Sequence, residues 1–513
     1  MKSRAIWLKG GDENTKFFQA YAWGWRMGNT IWELRKEEGN VVSSFDVLSV
    51  MGVEHFESLY RAQEESSTAE IIRIAGFFPR FVEEVDNIML MEEVFEEELG
   101  AILHSFQKDK SPGLDGWPIE FYLVFNETLK SDLLRVVLEE SRRMGMIHSP
   151  FNATSIALIP KYDNPTSFDD FRTISLCNCV YKIISKVIAR RLNRILSKTI
   201  SGEQLEFLAG RQMHEAIGVA QEELHSMKTL KIGVVVVKID LSKAYDRVNW
   251  LYLRMLMTHL GFGLDFIRWT MRCISLVSFA ILINRETTPF FRSHRGLHQG
   301  CPLSPLLFLL VAEGLSRFLA SMKFEGSFGG IHITLVLIIS HLLFVDDILI
   351  FCDGSRRDTD CLVEGIALFR KASGMLINAN KSCLVNNMVQ EEDLQYMIAQ
   401  FPFLSHNFDE GIKYMGFYLK PNDYTKGDWR WLIGKLEKRI LLWSHRWLSR
   451  AVRLVLIKSV LEAIPIYCMS LAWIPKGILE AARRICFAYL WWGNKVNQVM
   501  PRRLCKNTVD KEV

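Results

Sequence analysis

SHLLFVDDILIF, Ser340 to Phe351, sets two adjacent carboxylates, Asp346 and Asp347, between two apolar runs. Runs of this kind bounded by a charged pair predict a hairpin of two buried strands with the acids at its turn. Two anions side by side at the tip of an apolar hairpin repel each other and are poorly solvated, so the fold gains nothing from them unless a cation sits there. A third carboxylate has a matching context upstream. In VVVVKIDLSKAYDRVNW, Val234 to Trp250, Asp240 ends a β-branched run that predicts a buried strand. If the two segments pair, Asp240 meets Asp346 and Asp347 in space. Ligands that are all oxygen suit magnesium, and a pair of such ions is the usual apparatus of phosphoryl transfer.

The chain has 513 residues, more than a single domain usually holds, so two to four lobes are expected. With 49% hydrophobic and 23% charged residues it can bury a core. The net charge of +4 is too small to argue for a nucleic-acid partner, but its distribution is uneven. Glu83 to Glu98 carries eight acids and no base, whereas Lys426 to Val513 carries seventeen Lys/Arg against six Asp/Glu. The C-terminal part is open to two readings, a polyanion-binding surface or a solvated basic face. The ten Cys are scattered without metal-ligand spacing, which predicts reduced thiols, no zinc, and an intracellular protein of the nucleus or cytoplasm. The start lacks the apolar region of a signal peptide. Ile331 to Phe351 is apolar, but His332, His341, Asp346 and Asp347 interrupt it well short of a membrane span, so no transmembrane segment is expected.

Along the chain, residues 1–106 predict a helical N-terminal extension, with apolar residues at helical spacing over Phe45 to Ala62. Near the start, Lys16, Arg26 and several aromatics suggest either a nucleic-acid contact or a packed helix face. QKDKSPGLDGWPIEFY, Gln107 to Tyr122, is rich in turn residues and predicts a fixed loop ahead of a helix. Thr154 to Pro165 predicts a strand and loop. Beyond it, Ile183, Ile184, Val187, Ile188 and Leu192 alternate with Lys182, Lys186, Arg190, Arg191 and Arg194, the pattern of an amphipathic basic helix that covers a core and faces phosphates. Helices are expected over Trp250 to Leu260, from a Gly/Pro loop into the apolar run ending at Leu319, over Thr359 to Ala372, and from Trp429 onward. Tyr414 to Lys420 predicts a strand or tight hairpin.

Taken in order, KSPGLDGWPIEF, LIPK, FRTISL, KIDLSKAYDRVNW, RGLHQGCPLSPLLF, SHLLFVDDILIF, GMLINANKS and YMGFYL resemble the reverse transcriptase of non-LTR (LINE-type) retrotransposons, in the form common in plant genomes. A lone DD pair in an apolar setting is weak; the ordered set is specific. The resemblance implies an α+β right-hand polymerase fold with an antiparallel palm sheet: fingers over 107–233, palm over 234–420, and a basic helical thumb and C-terminal region over 421–513. It implies an RNA-directed DNA polymerase, a nucleotidyltransferase that takes dNTPs, an RNA template and a DNA primer or target, with two Mg²⁺ ions or Mn²⁺ in their place.

Residue by residue, Asp240, Asp346 and Asp347 match the metal-binding carboxylates, and the Leu241 carbonyl is a further candidate ligand. Tyr245 matches the ring that blocks a ribose 2′-hydroxyl; its other reading is a core tyrosine. Gln299 and Gly300 match the loop that touches the nascent base pair, where Gly allows close backbone approach. Lys381 matches a lysine that protonates the leaving pyrophosphate. Lys161 and Arg172 match fingers residues that hold the triphosphate. These three are equally read as ordinary surface bases. Tyr414, Met415, Gly416 and Phe417 match the primer grip. Asp246 lies outside the metal role and reads as a helix or turn cap.

The sequence departs from the family pattern at Thr173, usually Pro, and at Val345, usually Ala; neither change touches the carboxylates. Elements of this kind also carry an N-terminal endonuclease and often a C-terminal Cys/His segment, which are not in this sequence, and Cys486 and Cys505 lack a ligand pattern. The expectation is a fragment holding the polymerase core. Two other readings compete with an active polymerase. One is a catalytically inactive relic that at most binds nucleic acid. The other is an intron maturase, which needs a basic domain beyond the thumb, for which about 30 residues after Arg484 are too few.

Overall fold

The computed structural model describes residues 27, 29–35, 39–61, 68–162, 164–333, 338–444 and 448–493. Lys16, Arg26 and the aromatics beside them, as well as Cys505, lie outside the described residues. Two compact units divide the chain: Met1–Gln212 with Gly233–Ser405, and Met213–Ile232 with His406–Val513.

The first unit is built on two sheets. In one, the hairpin strands His341–Phe344 and Asp347–Cys352 lie beside Val234–Ser242, which pairs on its other side with Cys383–Asn387 and Leu376–Ile377; all these pairings are antiparallel. Val234 to Val237 are buried without alternation because both faces of this central strand are covered, which is why it reads as a continuous apolar run. Beneath it lies the helix Ser304–Phe324, buried from Leu306 to Ala312 in the same core as Val235, Val237, Ile348 and Ile350. Among the described residues this is the one helix long and apolar enough to cross a membrane by length and composition, and 72% of its apolar window is buried inside the protein. The α+β class and the antiparallel palm sheet expected from the motifs are those observed.

The second sheet joins Ala153–Pro160 antiparallel to Phe171–Cys177 and parallel to Ser278–Ile283. Segments 107–233 and 234–420 thus share a sheet. The helix Phe45–Tyr60 packs on it through Leu48, Phe56 and Leu59, against Ile156, Phe279 and Ile281.

The helix Cys179–Thr199 buries Ile183, Ile184, Val187, Ile188 and Leu192 as its spacing requires. One of its five expected phosphate-facing bases turns inward. Arg191 is 3% exposed, donating to Glu98 at 2.7 Å and to the carbonyls of Leu90 and Glu92. The acidic segment Glu83 to Glu98 supplies these acceptors, so part of the helix's positive face serves folding.

The second unit, by itself, sets the helix Met213–Thr229 against the hairpin Ile412–Tyr414 and Phe417–Leu419, tied by Lys420 N donating to Gln221 Oε1 at 3.1 Å. Met415 (φ +47°) and Gly416 (φ +80°) form its two-residue turn, whose positive angles match strand twist. Helices Arg430–Ser444, Arg450–Leu456, Ala463–Met469 and Lys476–Trp492 complete the unit.

Asp246, read from sequence as a cap, instead ties two elements of the first unit. It is 3% exposed and accepts the Tyr60 hydroxyl at 3.0 Å, linking the turn after Asp240 to the helix Phe45–Tyr60. Burial pushes its carboxyl up to about 6, against the Tyr60 hydrogen bond and the nearby Lys243. A carboxyl whose folded pKa is raised favours the folded state while protonated and loses that contribution as pH rises through the folded pKa. Asp246→Asn should therefore gain on wild type by about 3 kcal/mol between roughly pH 4 and pH 7. Urea unfolding at the two pH values measures this, and an offset that does not change with pH would exclude the buried anion as its cause.

Candidate active site

The ladder between Asp347–Cys352 and Val234–Ser242 pairs Asp347 with Asp240. Directly opposed residues of an antiparallel pair stand about 4.5–5.5 Å apart at Cα, so acids about a hundred positions apart in sequence become neighbours. Phe344 pairs with Asp347, which leaves Val345 and Asp346 as a two-residue turn. Val345 has φ +53°, an uncommon angle for a β-branched residue. The Leu241 amide donates to the Asp346 carbonyl at 3.0 Å, fixing the turn beside the end of the central strand.

The loop Gly374 to Ser382 closes the other side. Asn378 N donates to the Asp240 carbonyl at 2.8 Å, and the Asp240 amide donates to Ser382 Oγ at 3.1 Å. This brings the Lys381 ammonium to 3.9 Å from Asp240 Oδ1. Lys238 stands 3.2 Å from Asp347 Oδ1. Sequence reasoning passed over Lys238, although a lysine two positions before Asp240 in an apolar strand shares its face and was a usable signal.

Burial raises the Asp240 carboxyl, with Lys381 opposing and Asp347 adding to the rise. Asp346 reaches water at the turn, yet protein surrounds much of it; burial first, then the charges of Asp347 and Asp240, push it up to about 6. A fourth carboxylate comes close. Leu205 N donates to the Leu343 carbonyl at 3.0 Å and Leu343 N to Glu203 O at 2.9 Å, so residues 203–205 run beside the first hairpin strand. Glu206 follows, pushed up to about 8 by burial and by Asp346. Nothing local in the sequence marked it.

Among the described residues, no three His, Cys, Asp or Glu side chains are gathered as a ready metal cage. Two of the three aspartates lean on ammonium groups instead. The donor set is nonetheless all carboxylate oxygen, held side by side at a desolvation cost, which fits a hard divalent cation.

Tyr245 stacks on Phe308 with centroids 4.7 Å apart, and Leu297 N donates to its carbonyl at 2.7 Å. Burial, then the charges of Glu206 and Asp346, raise its hydroxyl pKa. The Gln299 carbonyl accepts from Ser175 N at 2.8 Å. Gly300 has φ +114°, and a Cβ there would stand 3.0 Å from the Ser175 carbonyl, so the close approach needs glycine. Lys161 and Arg172 lie at the ends of the adjoining strands Ala153–Pro160 and Phe171–Cys177. All the expected site residues lie in the first unit except Tyr414 to Phe417, which lie in the second. There, Tyr414 and Phe417 are buried, and Met415 offers its carbonyl to Tyr467 at 3.0 Å.

Residues 159–419 match the family described as reverse transcriptase (RNA-dependent DNA polymerase), just over half of the chain. The chain is 27% identical over 329 residues to the transposon TX1 uncharacterized 149 kDa protein of Xenopus laevis, covering 64% of this chain and 24% of that protein. It is 24% identical over 281 residues to the Pol polyprotein from the type-1 retrotransposable element R2 of Popillia japonica, covering 54% and 37%. It therefore spans well under half the length of these relatives. A solved structure of apo telomerase from Candida tropicalis is similar over 48% of this chain and 52% of that one, at 15% identity and a TM-score of 0.33. With Asp240 and the acidic hairpin inside the matched region, the chain belongs to the reverse transcriptase (RNA-dependent DNA polymerase) family, in its non-LTR retrotransposon branch.

Proposed function

We propose that this chain is the RNA-directed DNA polymerase of a LINE-type element, joining dNTPs to a DNA primer 3′-hydroxyl on an RNA template. The observation that carries the reading is the register that sets Asp240 opposite Asp347 with Asp346 at the adjoining turn. Asp240, Asp346 and Asp347, with the Leu241 carbonyl, would hold two Mg²⁺ ions, or Mn²⁺, whose Lewis acidity would lower the hydroxyl's pKa and offset charge on the leaving pyrophosphate. Lys238 and Lys381 balance part of the carboxylate charge. Lys381 gives a proton to the leaving group, a role its exposure and its position beside Asp240 support. Lys161 and Arg172 hold the triphosphate, Gln299 and Gly300 lie against the nascent pair, and Tyr245 excludes a 2′-hydroxyl. Tyr414, Met415, Gly416 and Phe417 form the primer grip. Fingers over 107–233, palm over 234–420 and thumb from 421 are the matching division.

Purified protein should extend oligo(dT) on poly(rA) with dTTP in Mg²⁺ or Mn²⁺. Asp240→Asn, Asp346→Asn and Asp347→Asn should each lower extension by about 10³-fold, or about 4 kcal/mol of transition-state stabilisation. A mutant that extends as fast as wild type would remove that aspartate from the site. Tyr245→Ala should raise the use of rNTP relative to dNTP by about tenfold or more in single-nucleotide incorporation, and an unchanged ratio would assign the ring to the core alone.

A further inference from the structure

Beside Asp240 the structure gathers more positive charge than the fold needs. Lys161 and Lys243 both reach Asp169, Lys381 stands at Asp240, and Lys243, Lys381 and Arg172 all add, after burial, to lowering the pKa of Lys161, with Asp169 opposing. Lys381 has Asp240 beside it and Asp246 is buried near Lys243, while Asp169 is the anion that meets Lys243 and Lys161 directly. Asp169, in the short helical turn Phe168–Asp170, takes the Lys243 ammonium on its Oδ1, and the same oxygen lies 3.7 Å from His55 Nε2. Lys161 Nζ donates to the Asp169 main-chain carbonyl at 2.8 Å. Lys243 itself has φ +49°, uncommon for a residue with a Cβ, at the turn three positions past Asp240.

The pair is lopsided. The Lys243 side chain is 23% exposed and that of Asp169 63%, so the cation lies inside and its anion on the open side. An ion pair whose anion stands largely in solvent adds little to stability and does not explain why Lys161 and Arg172 are held nearby. Gathered like charges are costly alone and favourable once a polyanion binds among them.

We propose that Lys243 is a binding residue for the triphosphate of the incoming nucleotide, and that Asp169 stands in for a phosphate until the nucleotide displaces it from the Lys243 ammonium. The inference rests on the polymerase reading, which does not itself assign either residue. Exchange of one charge-assisted hydrogen bond for another leaves Lys243 paired in both states. Asp169 then acts as an internal competitor: it weakens binding of every anion, and discriminates most against those with fewer phosphates, which lack the contacts to Lys161 and Arg172 that offset the exchange.

The test uses Lys243→Gln, Lys243→Arg and Asp169→Asn, because a competitor and a ligand-binding cation shift affinity in opposite directions. Lys243→Gln should raise the KM for dTTP on primed poly(rA) about tenfold and leave the Kd for primer and template unchanged. Lys243→Arg should recover most of the loss. Asp169→Asn should lower the KM. A purely structural strap predicts that the Lys243→Gln and Asp169→Asn proteins lose affinity and thermal stability together, and that outcome overturns the proposal. Calorimetry of inorganic tripolyphosphate with the protein alone gives the second readout: weaker in Lys243→Gln, tighter in Asp169→Asn. If wild type fails to extend primers while these opposite shifts persist, the polymerase reading falls and the Lys243 site stands. If wild type extends and the shifts are absent or parallel, the proposal falls alone.

Discussion

Everything chemical in the first unit depends on one backbone ladder, the antiparallel pairing of Asp347–Cys352 with Val234–Ser242. A slip of one residue would turn every side chain of one strand to the other face, taking Asp347 away from Asp240 and placing Ile348 and Ile350 outside the core. Burial of Val235, Val237, Ile348 and Ile350 therefore fixes the register, and the register places the acids. The apolar core and the active site are specified by the same contacts.

The site bears the electrostatic consequence. Asp240 and Asp347 are paired at the end of a sheet with Asp346 at the adjoining turn, and Asp346 and Glu206 are pushed toward neutrality by burial and by their neighbours. Lysines offset part of this. Lys238, on the same strand as Asp240, meets Asp347 on the paired strand, and Lys381 meets Asp240 from a loop hydrogen-bonded to that strand. On the adjoining side Lys243 and Lys161 meet Asp169, with Arg172 adding positive charge at Lys161. Carboxylates beside a group of basic side chains are the arrangement that nucleotidyl transfer uses, cations on the first and phosphates on the second.

Charge elsewhere serves folding. The run Glu83 to Glu98 looks like a solvated acidic tract, yet Glu98 and the carbonyls of Leu90 and Glu92 enclose the Arg191 guanidinium. Removing one partner of such a buried pair costs more than the pair contributes, because it leaves an unpaired charge inside. A helix whose bases were all expected to face phosphates gives one of them to the core.

The sequence by itself determined the strand carrying Asp240, the acidic hairpin, the helices that cover them and the ordered motifs that identify the family, because each is encoded in periodicity or in residues a few positions apart. The turn Met415–Gly416 and the helix Trp250–Leu260 were legible for the same reason. Tertiary structure alone decided the inward turn of Arg191, the tie from Tyr60 to Asp246, the approach of Glu206 to Asp346, and the pairing of Lys243 with Asp169. In each of these the partners are scores of residues apart, and no local pattern in either partner encodes the other. What joins them is the packing of helices and loops onto the two sheets, so their chemistry becomes visible only once the chain has closed on itself.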